Sequence, residues 1–288
     1  MNEYPLVSVL MTAYNREKYI SEAIESVLAS TYINWELIIV DDCSTDNTLA
    51  IAREYEKKDP RIQIHLNKEN LSDYPNRNKA ASYAKGKYLK YLDSDDVIFP
   101  EGIQYCVEEM EKFADVSMGI LYLRNRNSTE SFMMSSEEII RNHFFKGSIL
   151  SIGPSGSIYN RNWFELNNGF DIRFGVASDN YFNIQMAAKA CVVLLPKVFF
   201  DYRVHDEQQN TNEKGYLINN YLYNKELYEK GDLPLSADEI LYLKRKLQKR
   251  HLVNISRFAL KSKEISNVIE IIKITKYKWW NAFKYILY

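Results

Sequence analysis

The chain has 288 residues, a formal net charge of −1 and 46% hydrophobic residues, the balance of a globular protein with a sizeable core. Cys43, Cys106 and Cys191 have no metal-site spacing, which excludes a disulfide framework or a zinc module and points to a reducing compartment. No stretch nears the run of about 18 apolar residues that a spanning helix needs, and the apolar run Leu6 to Met11 has no basic leader, so the expectation is a cytoplasmic protein.

In chain order, Leu6 to Thr12 reads as a buried strand and Ala13-Tyr14-Asn15-Arg16 as the loop that leaves it. Tyr19, Ile20, Ala23, Ile24, Val27 and Leu28 recur at helical spacing. Trp35 to Val40 is a second buried strand, ending in Asp41-Asp42. Thr45 or Asp46 is then placed to cap a helix through Leu49, Ala52 and Tyr55. Ile62 to Leu66 is a third strand. A helix across Arg77, Asn78, Ala80, Ala81 and Ala84 follows, with Gly86 as its stop. Lys87 to Leu92 is a fourth strand and runs into Asp93, Asp95 and Asp96.

This alternation predicts an α/β fold, a parallel sheet with helices on both faces, and such sheets bind ligands beyond the carboxyl ends of their strands. Thr12, Tyr14, Asp41, Asp42, Asp93 and Asp95 all follow strand ends, so one crevice should collect them. Three carboxylates within four residues repel one another and call for a cation or strong donors. Oxygen-only ligands suit Mg²⁺ or Mn²⁺, while a solvated acidic turn is the competing account. No Gly-x-Gly-x-x-Gly and no P-loop follows the first strand, against a dinucleotide dehydrogenase and a P-loop NTPase. Phosphates would then be held through a metal.

The blocks Val7-Ser8-Val9-Leu10-Met11-Thr12-Ala13-Tyr14-Asn15, Glu36 to Asp46, Arg77-Asn78 and Leu92-Asp93-Ser94-Asp95-Asp96, in this order, resemble glycosyltransferase family 2. The resemblance covers roughly the first 205 residues. It implies a GT-A fold, a Rossmann-type mixed sheet flanked by helices, with a nucleotide-sugar half followed by an acceptor half. It also implies that Thr12, Tyr14 and Asp42 contact the nucleotide base, with Ala13, Asn15 and Ser94 beside them. Arg77 would bind the donor, Asp93 the ribose side, and Asp95 a Mn²⁺ or Mg²⁺ ion on the diphosphate. Asp96 is read as capping the next segment.

Further on, a helix over about Glu101 to Phe113, a strand over Val116 to Leu123 and a polar turn over Asn125 to Glu130 are expected. Ser135-Ser136-Glu137-Glu138 is a capping box that opens a helix, and Gly153 to Gly156 reads as flexible. Asn168-Gly169-Phe170-Asp171 resembles the family's Gly-Gly-Phe-Asp turn. In Ser178-Asp179, Ser replaces the Glu of the family's Glu-Asp, and Asp179 matches its catalytic base. The competing account has Asp179 as a helix cap. Cys191 to Phe200 reads as a strand, and Tyr202-Arg203-Val204-His205 resembles a family block whose His approaches the metal or pyrophosphate; the competing account has His205 as a structural hydrogen-bonder.

The sequence divides into a GT-A-like domain, 1–214 (nucleotide half 1–100, acceptor half 101–214), and a helical basic extension, 215–288. In the extension, Ser236 and Glu239 form a second capping box. After Tyr242, twelve Lys and Arg stand against two Glu, a formal +10, and the chain ends in aromatics interleaved with lysines. That tail fits an anionic membrane surface, a homo-oligomer contact or a helix packed on its own domain; nucleic acid is excluded by the overall charge balance. The expected reaction is inverting transfer from a nucleotide sugar, UDP-linked, to a hydroxyl of a saccharide or lipid-linked acceptor in cell-surface polysaccharide or lipid-linked oligosaccharide synthesis. A non-catalytic sugar-nucleotide or glycan-binding module and a nucleotidyltransferase are the alternatives.

Overall fold

The computed structural model describes residues 4–123, 130–204 and 213–278. Period-two alternation in the first strand decides the layers. In β1 (Val7–Ala13), Val7, Val9 and Met11 belong to one apolar cluster and Leu10 to another, so both faces are buried. That is the pattern of a strand in a sheet covered on two sides.

After β1 come α1 (Ile20–Leu28), β2 (Trp35–Asp41), α2 (Thr48–Glu56), β3 (Ile62–Leu66), α3 (Asp73–Ala81) and β4 (Tyr88–Tyr91). β5 (Val97–Ile98), α4 (Gly102–Glu111), β6 (Val116–Leu121), β7 (Phe132–Met134) and α5 (Ser136–Arg141) follow. A π-helical turn at Asn142–Lys146 leads to β8 (Ser157–Asn160) and α6 (Arg161–Leu166), and a 3-10 segment at Ile172–Ala177 to α7 (Ser178–Lys189). β9 (Cys191–Leu195), β10 (Phe200–Asp201), α8 (Glu213–Lys230), α9 (Ala237–Ser262) and α10 (Ile265–Thr275) complete the described chain.

Among the described residues the main sheet has the order β3-β2-β1-β4-β8-β6-β9-β7. β3, β2, β1 and β4 are mutually parallel, while β8 runs antiparallel between β4 and β6. The sheet is therefore mixed, and the expected α/β architecture holds. Strand order reverses between β1 and β4, which opens a crevice at their carboxyl ends. Residues of α1, α2 and α4 cover one face of the sheet. Residues of α3, α5, α6 and α7 cover the other, joined in the same apolar cluster by Tyr223 and Leu227 of α8 and Leu243 of α9.

Several local expectations are corrected. The helix after β3 ends at Ala81, short of Gly86. Gly86 instead lets the chain pass against β1: a Cβ there would lie 2.6 Å from the Ser8 nitrogen. Neither Thr45 nor Asp46 is the cap residue of α2, which is Asn47, although Asp46 Oδ1 accepts from the Thr48 amide at 3.0 Å. Residues 153–156 are not a loose stretch. Pro154, Ser155 and Gly156 are buried in a 3-10 turn, pinned by the Lys90 ammonium, which donates to the Ser155 carbonyl at 2.6 Å. The stretch 191–200 breaks into β9 and β10, and β10 pairs with β5 in a small separate ladder. Both capping boxes form, at Ser135–Glu138 and at Ser236–Glu239. The expected polar turn lies, but for Glu130, outside the described residues.

Candidate active site

The loop leaving β1 is shaped by hydrogen bonds to the loop leaving β2. Asn15 has φ 53, which Asn tolerates, and its amide donates to Ser44 Oγ at 2.9 Å. Its Oδ1 accepts from the Thr45 amide at 2.8 Å, and the Arg16 amide donates to Thr48 Oγ1 at 2.6 Å. Ser94, after β4, donates from its hydroxyl to the Thr12 carbonyl at 2.8 Å, which ties the end of β4 to the end of β1.

Asp42 is buried and already does structural work. Its oxygens accept from Asn67 Nδ2 at 2.8 Å, from the Leu71 amide at 2.8 Å and from the Ser72 amide at 2.9 Å. A carboxylate offers about four lone-pair sites, so three bonds leave one unused on a residue that lines the cleft. Asp41, beside it, is turned inward: Oδ1 accepts from the Ser44 amide at 2.9 Å, and Asp41 does not line the cleft.

The acidic cluster after β4 is divided among separate partners. Arg77 of α3 lies 2.7 Å from Asp93 Oδ1 through Nη1, and its Nε donates to Asp73 at 2.7 Å, an i,i+4 pair on the helix. Burial works against the Arg77 charge, but Asp73 and Asp93 hold its pKa well above the ordinary value. Burial alone would raise Asp93, yet Arg77 keeps it below the usual carboxylate range. Asp95 Oδ2 accepts from Arg16 Nε at 3.0 Å. Asp96 is buried, accepts from the Arg203 amide at 3.2 Å and is pushed up to about 7, chiefly by burial and then by Asp93. It does not cap α4, whose cap residue is Glu101.

Asp179 arrives from the far half of the chain. The turn before α7 needs left-handed backbone at Asn168 (φ 60) and Gly169 (φ 64). Asn78 of α3 clamps that turn, accepting from the Phe170 amide at 2.9 Å and donating to its carbonyl at 2.8 Å. Ser178 is fully buried and donates to the carbonyls of Asp171 and Gly175, so the Ser that replaces Glu is a brace for the turn. The cap residue of α7 is Ala177, and Asp179 lies inside the first helical turn, which removes the cap account. Burial pushes the Asp179 carboxyl up to about 6, against the bonds from the Asn180 amide and the Tyr74 hydroxyl.

The expected nucleotide contacts, Thr12 to Asn15, Asp42, Arg77, Asp93 and Ser94, line one cleft of about 660 Å³ together with Asp95 and Asp179. His205 lies outside the described residues. Arg16, Tyr74 and Tyr216 also line the cleft and were not singled out from the sequence. Arg16 had a signal, its place in the loop at a strand end. Tyr74 and Tyr216 had none, because helix packing alone brings them there. Among the described residues no group of three or more His, Cys, Asp and Glu could hold a metal by itself.

Residues 8–166 match the family described as Glycosyl transferase family 2. The chain belongs to glycosyltransferase family 2. It is 31% identical over 223 residues to an uncharacterized glycosyltransferase of Haemophilus influenzae, covering 73% of this chain and 69% of that one. It is 48% identical over 95 residues, 33% of this chain, to the putative teichuronic acid biosynthesis glycosyltransferase TuaG of Bacillus subtilis. It is 35% identical over 161 residues, 56% of each chain, to the Escherichia coli UDP-Glc:alpha-D-GlcNAc-diphosphoundecaprenol beta-1,3-glucosyltransferase WfgD. The matched part is 38% of TuaG, so this similarity spans well under half of that relative's length.

Family 2 membership agrees with the fold of solved structures. S. aureus TarS in complex with UDP-GlcNAc superposes with a TM-score of 0.73 at 20% identity, over 92% of this chain and 79% of that one. The mannosyltransferase PcManGT from Pyrobaculum calidifontis, in complex with GDP-Man and Mn²⁺, gives 0.64 at 16% identity, over 99% and 86%. Cys43, Cys106 and Cys191 are free thiols, and no helix among the described residues is long and apolar enough to cross a membrane. The aromatic run from Trp279 lies outside the described residues.

Proposed function

We propose that the protein transfers a sugar, with inversion, from a UDP-linked donor to a hydroxyl of a saccharide or lipid-linked acceptor in cell-surface glycan synthesis. The observation that carries the reading is the meeting, in one cleft at the strand-order reversal, of Asp42, the Arg77–Asp93 pair and the buried carboxyl of Asp179. A buried carboxyl shifted toward neutrality in the cleft favours catalysis over a binding module. A nucleotidyltransferase would want a Gly-rich, basic loop after β1, and here that loop is Ala13-Tyr14-Asn15-Arg16.

In this reading the loop after β1 and the open site on Asp42 receive the base. Asp93, kept ionised by Arg77, takes the ribose side, and Arg77 offers positive charge to the phosphates. Asp95 presents a carboxylate to the cleft, and with diphosphate oxygens it completes a donor set of the kind Mg²⁺ and Mn²⁺ accept. Such an ion, when bound, supplies charge to the departing diphosphate. That WfgD is named for a UDP-linked donor and PcManGT was solved with Mn²⁺ supports both choices.

Asp179 takes the proton of the acceptor hydroxyl as that oxygen bonds to the anomeric carbon. The bond from that carbon to the UDP oxygen breaks on the opposite face, and UDP leaves with the electron pair. A carboxyl near 6 is poised for this at neutral pH, mostly ionised yet basic enough to accept a proton. The test is UDP release from a panel of UDP-sugars, in Mn²⁺, with and without an acceptor glycan extract. Wild type should release UDP, and Asp179→Asn should bind UDP yet lose ~10²–10⁴ in acceptor-dependent release. Release from no nucleotide sugar would remove the transfer reading.

A further inference from the structure

A second cavity, of about 440 Å³, opens between the 142–146 turn, α8 and α9. It adjoins the donor cleft: Tyr216 lines both, and Asn180, which lines this cavity, follows Asp179, which lines the cleft. On α9 the lining is a single helical stripe. Leu243 and Leu247 are joined at i, i+3 and i, i+4 spacing by Lys246, Arg250 and Asn254, so an apolar seam gives way to a cationic rim.

The cavity's charge is one-sided. Among the described residues no carboxylate lines it, and neither Lys246 nor Arg250 forms an ion pair. Lys246 stands 5.9 Å from the Tyr242 ring. The floor is aromatic, from buried Tyr221, Tyr223 and Tyr228. His251 lines the cavity at 3% exposure, is pushed down to about 4 by burial, and stacks on Tyr221 with centroids 4.0 Å apart. Its Nε2 is shut off from the cavity and has no hydrogen-bond partner among the described residues, so His251 shapes the wall through its ring. Aromatic faces pack on the C–H faces of sugar rings, side-chain amides meet hydroxyls, and a guanidinium grips phosphate or carboxylate in a bidentate fork.

We propose that this cavity binds the anionic part of a saccharide acceptor, with Lys246 and Arg250 meeting its phosphate or carboxylate and its reactive hydroxyl extending past Tyr216 toward Asp179. The direction of attack rests on the transfer reading above; the cavity's preference for an anionic saccharide does not. It gives the basic face of α9 a role at the reaction centre.

The probes are N-acetylglucosamine 1-phosphate, methyl glucuronide and neutral methyl N-acetylglucosaminide, titrated by calorimetry against the full chain with UDP and Mn²⁺ saturating. At least one anionic probe should bind about tenfold or more tighter than the neutral one, and which one does so separates phosphate from carboxylate. The Lys246→Gln/Arg250→Gln variant should lose that preference while it keeps the wild-type melting temperature and UDP affinity. Equal binding of charged and neutral probes, no binding of any probe, or a preference that survives in the variant would overturn the proposal. Should UDP itself fail to bind, the donor reading falls, and the same comparison run without UDP still decides the cavity.

Discussion

Arg16 Nε lies 3.0 Å from Asp95 Oδ2, joining the loop after β1 to the loop after β4 across the strand-order reversal. The carboxylate proposed to meet a divalent ion is thus already neutralised by a guanidinium, which an arriving cation must share or displace. Arg16→Gln should therefore raise the affinity for Mn²⁺ in the presence of UDP by roughly fivefold, the size of a partly exposed ion pair. Titration followed by the electron paramagnetic resonance of free Mn²⁺ reads this directly. Unchanged or weaker Mn²⁺ binding would show that Arg16 and the ion do not compete for Asp95.

The proposed role of Asp179 sets function against stability. Its folded pKa, about 6, lies above the ordinary value of 3.8. Between about pH 4 and about 6 the folded protein keeps a proton that the unfolded chain has released, so stability falls as pH rises through that window, by up to about 3 kcal/mol. Asp179→Asn escapes this cost. It should melt higher than wild type at pH 8 and close to wild type at pH 4, while wild-type transfer falls as pH drops below about 6. A variant less stable than wild type at pH 8 would show that the carboxylate is stabilising where it sits.

Gly169 couples the two halves of the cleft. It has φ +64, and a Cβ there would lie 2.6 Å from Asn78 Oδ1, the atom that accepts from the Phe170 amide. Gly169→Ala should cost about 1–2 kcal/mol in backbone strain, seen as a lower midpoint in urea. Because the turn leads to α7 and the clash falls on Asn78, next to Arg77 on α3, turnover should fall and UDP affinity should weaken with it. Wild-type turnover and UDP affinity in the variant would show that this turn does not couple the two halves.

How much was legible in the sequence follows from where each residue's environment is decided. β1 to β4 announce themselves because buried parallel strands are short apolar runs, and Asp42, Asp93 and Asp95 follow them immediately in the chain. Gly86 misled because a glycine after a helical pattern looks like a stop, whereas its need comes from β1, a contact between residues far apart in sequence. β5 and β10, two residues each, carry too little pattern to read, and the antiparallel insertion of β8 between β4 and β6 is set by packing alone. The same holds at the site. The Arg77–Asp73 spacing is visible on a helix, but nothing local says that Arg16 will face Asp95 or that Tyr216 will line both cavities.

The proposed donor site is tested most directly by whether UDP binding depends on a divalent ion at Asp95. Calorimetric titration of UDP into wild type in Mn²⁺, into wild type in chelator, and into Asp95→Ala in Mn²⁺ measures it in one series. One saturable site is predicted in the first case, weakened by about tenfold or more in the other two. The same UDP affinity in all three, or none in the first, would contradict it.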